Sequence, residues 1–121
     1  MKINKIKENN IEIAVVSSSE VLITDVQSAL DFMATVRYDT ECDRMILKKS
    51  AICEDFFHLS TKLAGEILQK FINYNVKMAI VGDFSVYASN SLKAFIYESN
   101  KGKDIFFLPD ENQAIEKLSL V

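Results

Sequence analysis

The sequence is short of the residues that most often carry catalysis or punctuate a chain: one histidine, two cysteines, one proline and three glycines among 121 residues. With His58 as the single imidazole, any catalytic triad or imidazole metal site must use it, so few such mechanisms survive. Cys42 and Cys53 lie eleven positions apart with no CxxC, a spacing that suggests neither a zinc site nor a thioredoxin-like redox pair. Reduced thiols in a cytoplasm are the simplest reading. A Cys53–His58 pair would need Cys53 to sit in a loop, because five residues of helix turn two side chains about 140° apart. Neither GxxxxGK[ST] nor GxGxxG occurs, which leaves the lone Gly82 without the company a phosphate loop needs. Gly82 is expected to serve a tight bend as the chain leaves a strand. No apolar run approaches the roughly 18 residues of a membrane span, and "MKINKIKENN" is too polar for a signal peptide. Positive charge is not concentrated either: the net charge is -3 and lysines are scattered among acids, unlike a phosphate-backbone binder. Neither membrane nor nucleic acid is therefore expected as a partner.

What remains is ordinary globular material. Apolar residues make up 49% and charged residues 26%, and so little glycine and proline leaves no room for linkers. Residues 1–121 are expected to form a single α/β domain, long enough to fold without metal or disulfide support. Ile3 to Lys7 and Ile11 to Ser17 are rich in β-branched residues and meet at Asn9-Asn10, a pair suited to the positive φ of a tight hairpin turn. Thr24-Asp25-Val26-Gln27 has the T-x-x-Q form of a capping box ahead of apolar residues at helical spacing. Arg44 to Lys48 reads as a buried strand, and Ser60 to Tyr74 as a helix with one apolar face. Gly65 inside that helix costs about 1 kcal/mol relative to Ala, which a close approach to another backbone would explain. Val76 to Val81 and Ile105 to Leu108 are further strands. Ser91 to Asn100 is a helix ending at Gly102, and Asp110-x-x-Gln113 caps the last one. A hairpin followed by alternating helices and strands implies a mixed, mostly parallel sheet with right-handed crossovers.

In such a sheet the loops after the strands ending near Lys49 and Asp83 open at the same carboxyl edge, where ligands of α/β proteins usually sit. Ser50, Glu54, Asp55, Asp83 and Ser85 share that edge. They are candidates for paired-carboxylate chemistry or a hard cation, set against their ordinary work as turn formers and helix caps. Phe56, Phe57, Phe84 and Tyr87 fall in or beside the same loops. Exposed together they would form a protein-docking patch; packed inward they would plug the end of the sheet, and at least two are expected in the core.

The runs "LAGEILQKFINYNVKMAIVGDFS" and "SLKAFIYESNKG", with "IAVVSS", "ITDVQSALDFMATVRYDTECDR", "EDFF" and "IFFLP", resemble domain-of-unknown-function family 4180 over nearly the whole chain. That resemblance implies a small bacterial cytoplasmic protein and brings no activity with it. The order of elements is also similar to STAS domains, the fold of anti-sigma-factor antagonists, which bind a partner kinase and are switched by phosphorylation at the start of one helix. Asp55 stands where the acid of the STAS "DSSG" motif would be, but Phe56 follows it, so no phosphoswitch carries over.

The expectation is a non-catalytic, protein-binding or regulatory module. Its candidate surface is Ser50, Glu54, Asp55, Phe56, Asp83, Phe84, Ser85 and Tyr87. No catalytic residue, metal or cofactor is expected, and a homo-oligomer stays open. The alternative is a small-molecule binder or weak enzyme using Asp55 and Asp83, which would require a concave polar pocket with a perturbed acid at that edge.

Overall fold

The computed structural model describes residues 1–121, whose five strands form one sheet in sequence order. β1 (Lys2–Glu8) and β2 (Ile11–Ser17) form the expected antiparallel hairpin. Asn9 and Asn10 turn the chain with φ of 52° and 64°. β2 then pairs in parallel with β3 (Arg44–Lys48), β3 with β4 (Lys77–Val81), and β4 with β5 (Ile105–Leu108). Between them run α1 (Val26–Thr40), α2 (Leu63–Asn73) and α3 (Asn90–Lys101), and α4 (Glu111–Leu120) closes the chain. The α/β class and the mixed, mostly parallel sheet are those the pattern predicts.

Sequential strand order has a geometric consequence. Right-handed crossovers that always step the same way leave every crossover helix on one face of the sheet. Strand alternation then sorts the side chains. Met45, Leu47, Met78, Ile80 and Phe107 join residues of α1, α2 and α3 in the larger core. Ile46, Ala79 and Phe106 point the other way, towards Ala114 and Leu118 of α4. α4 lies on the opposite side of the sheet and covers the second face, touching every strand.

Three local expectations need correction. The cap of α1 is not Thr24 with Gln27 but Asp25 with Ser28: the Asp25 carboxylate accepts from the Ser28 N–H at 2.8 Å, and the Ser28 hydroxyl accepts from the Asp25 N–H at 3.0 Å. The box has moved one residue because Ser closes it as well as Gln does. α2 begins at Leu63 rather than Ser60, since Lys62 is held at φ 65°, outside the helical region, after tight 3₁₀ turns over Glu54–Phe57 and Leu59–Thr61. Gly65 meets no close backbone: a Cβ built there would find nothing within 4 Å.

Candidate functional site

The carboxyl ends of β3 and β4 lie side by side, with Lys48 opposite Val81. The chain leaves β3 into a 3₁₀ turn over Lys49–Ala51, which anchors the segment before α1: the Leu22 and Ile23 N–H groups both donate to the Ala51 carbonyl. It leaves β4 through Gly82, whose N–H donates to the Leu108 carbonyl at 3.1 Å. The chain bends at Gly82 as expected, but no glycine in the chain has positive φ, so the bend does not by itself require glycine. A Cβ at Gly82 would lie 2.6 Å from Cγ and 2.8 Å from Cδ of Lys49. Glycine is there because the Lys49 stem crosses it.

That crossing places a cation the sequence reading missed. The Lys49 ammonium donates to the Asp83 carbonyl at 2.8 Å, and sits 4.7 Å from the centroid of the Tyr87 ring and 5.9 Å from that of Phe84. The attraction of an ammonium to ring faces adds to the hydrogen bond in fastening the loop after β4 to the loop after β3. The available signal was a glycine after one strand and a lysine after its neighbour. It became readable only once the strands were known to be adjacent.

Two of the four aromatic residues are core, as expected, and the other two are half-buried against it. Phe56 and Phe57 are 1% and 2% exposed, and their rings meet edge-on at 5.0 Å. Phe56 therefore belongs to the core and not to the surface on which the sequence placed it: the 3₁₀ turn directs two consecutive rings inward. Phe84 is half-buried, edge-on to Phe107 at 5.5 Å. Tyr87 is half-buried and stacks on Phe57 at 5.2 Å with 16° between planes. Burial and then the charge of Glu54 push its phenol above the usual range, so it stays neutral. Val86, which the sequence reading passed over, stands at the crest of this loop with 64% of its surface exposed.

The polar candidates do not converge on a reaction centre. Asp83 Oδ1 accepts from both the hydroxyl and the N–H of Ser85, at 2.5 and 3.0 Å. These bonds, the hydroxyl first and then the N–H, with a smaller contribution from Lys49, hold the carboxyl below its ordinary range. An acid so held stays ionised at neutral pH and is spent on shaping the turn, the opposite of what a general acid needs. Ser50, Glu54 and Asp55 are exposed. Asp55 contributes a carbonyl that accepts from the Thr61 hydroxyl at 2.8 Å. Cys53 donates through its thiol to the Thr24 carbonyl and His58 is exposed, with no hydrogen bond between the two side chains. Nowhere do three His, Cys, Asp or Glu side chains come together as a metal would require. The principal clefts of the molecule involve neither Asp55 nor Asp83. No helix is long and apolar enough to cross a membrane.

The family model described as "Domain of unknown function (DUF4180)" matches residues 8–118. No curated protein and no solved structure matches the chain.

Proposed function

The chain belongs to the DUF4180 family, and from that premise we propose that it is a non-catalytic module that docks another protein through the loop between β4 and α3, a binding role consistent with regulation. The observation that carries this reading is the exposure of Val86 on a loop whose neighbouring rings are already anchored to the core. Such a loop presents an apolar crest and a stacked tyrosine in a fixed shape, so little ordering entropy is lost on association. Glu54, Asp55, Asp83 and Ser85 supply the polar rim. Asp83 and Lys49, the two groups best placed for chemistry, are both engaged within the protein. The STAS-like order of elements, a likeness of sequence only, supports binding rather than turnover.

The test is quantitative capture from lysate of the source organism on the wild-type chain and on Val86→Asp, with the small molecules released by denaturation analysed alongside. Val86 lies outside the core, so the variant is expected to keep its unfolding midpoint, which is measured in parallel. One protein recovered near stoichiometrically with the wild type and reduced at least tenfold with the variant is the expected result. A protein retained equally by both, or the recovery of no protein with either, overturns the reading.

A further inference from the structure

Gly65 is the unexplained residue of α2. An interior helix glycine costs about 1 kcal/mol relative to alanine, yet an added Cβ would meet nothing within 4 Å. Nothing inside the protein requires the gap. It opens onto a cleft of about 340 Å³ between α2 and α3, floored by the amino end of β5. α1 packs closely on α2, but α3 stands off from it and packs on β5 instead. Of its eleven lining residues four are apolar: Leu68 and Ile105 are buried, Phe95 is half-buried, and Ile72 is 42% exposed along one side, with Gln69 and Ser99 as neutral polar groups.

The charges at the rim are not balanced. Three charged side chains line the cleft, and the two acids are already matched: Glu98 with Lys101 at 3.6 Å, Asp104 with Lys77 at 3.3 Å. Lys103 is the remaining charge, exposed and in no ion pair. The volume is in the range of small-molecule sites, which join a mainly apolar lining to a few polar groups.

We propose that the α2–α3 cleft binds a small organic anion, a carboxylate or sulfonate on an apolar body, with the body against Leu68, Phe95 and Ile105 beneath Gly65 and the anion on Lys103. The site shares no lining residue with the docking loop: it uses the amino end of β5, α2 from Gly65 to Ile72 and the second half of α3. The room at Gly65 admits the ligand's width, and the unmatched cation selects its charge.

The probe is 8-anilinonaphthalene-1-sulfonate, titrated by fluorescence against the folded full chain, with its uncharged counterpart N-phenyl-1-naphthylamine for comparison. Saturable binding of one equivalent is expected, together with amide NMR shifts centred on Gly65, Ser99 and Lys103. Gly65→Leu fills the cleft and should weaken the sulfonate at least tenfold, while helix propensity works in favour of the variant's folding. Lys103→Glu should weaken the sulfonate several-fold and leave the neutral amine unchanged. Ala34→Leu, in the separate cleft beside α1, should alter neither. Absence of saturable binding, equal affinity in Gly65→Leu, equal loss of both probes in Lys103→Glu, or shifts centred on Ala34 would each overturn the proposal.

Discussion

Gly82 and Lys49 are thirty-three positions apart, and each accounts for the other. The lysine stem occupies the volume a Cβ would need, and its amine ties down the loop beyond the glycine. Gly82→Ala is expected to cost about 1–3 kcal/mol by overpacking. Lys49→Ala should cost about 1 kcal/mol through the lost carbonyl bond and ring contacts. In the double variant the clash is gone, so the two costs should fall short of additivity by about 1 kcal/mol or more. Urea unfolding of all four proteins measures this; additivity within about 0.5 kcal/mol would mean the contact does not hold the loop. From the sequence, the polar character of this edge was legible, since Asp and Ser after a strand make turns. The pairing itself was not, because a lysine stem crossing a neighbouring loop leaves no periodic trace along the chain.

Among the elements, β5 solves the problem of an exposed edge with one side chain. Its inner side pairs with β4, and on its outer side the Asn100 carboxamide takes both groups of Phe107: Oδ1 accepts from the N–H at 2.7 Å, and Nδ2 donates to the carbonyl at 3.0 Å. Asn100 thus occupies the place of a sixth strand on an apolar edge that would otherwise be open to another chain. Asn100→Ala should lose about 1–3 kcal/mol and increase concentration-dependent self-association, read by sedimentation velocity. A variant as stable and as monodisperse as the wild type would rule this guard out. β1, at the other edge, needs no such device, because its Lys2, Lys5 and Lys7 already discourage pairing. Helical periodicity gave the existence of α1 to α4 correctly but misplaced three of their starts, α3 beginning at Asn90 rather than Ser91. Asp25 and Thr24 are both competent N-caps, and only backbone geometry chose between them.

The whole molecule has two cores separated by a single sheet, the smaller one sealed by one ten-residue helix. If residues 1–121 form one cooperative unit, damage to either face must weaken both. Leu118→Ala on the buried face of α4 should cost about 2–5 kcal/mol and Phe71→Ala in α2 about 3–5 kcal/mol. Each should move one shared transition when unfolding is followed by far-ultraviolet circular dichroism and by tyrosine fluorescence. Separate transitions for the two probes would show that α4 and its face melt alone. The same architecture separates the two proposed sites, with the docking loop at the carboxyl edge and the α2–α3 cleft near the amino end of β5.

By itself the sequence determined the class of fold and the inventory of elements, because burial of one face imposes a period of two on strands and of 3.6 on helices. It also determined what chemistry was scarce, through a single histidine and the absence of any phosphate loop. Tertiary structure alone decided which aromatics faced inward, why Gly82 is glycine, and that Gly65 opens onto a cleft. Those properties depend on which distant segments become neighbours, and contacts between segments far apart in the chain carry no local signature for a one-dimensional pattern to reveal.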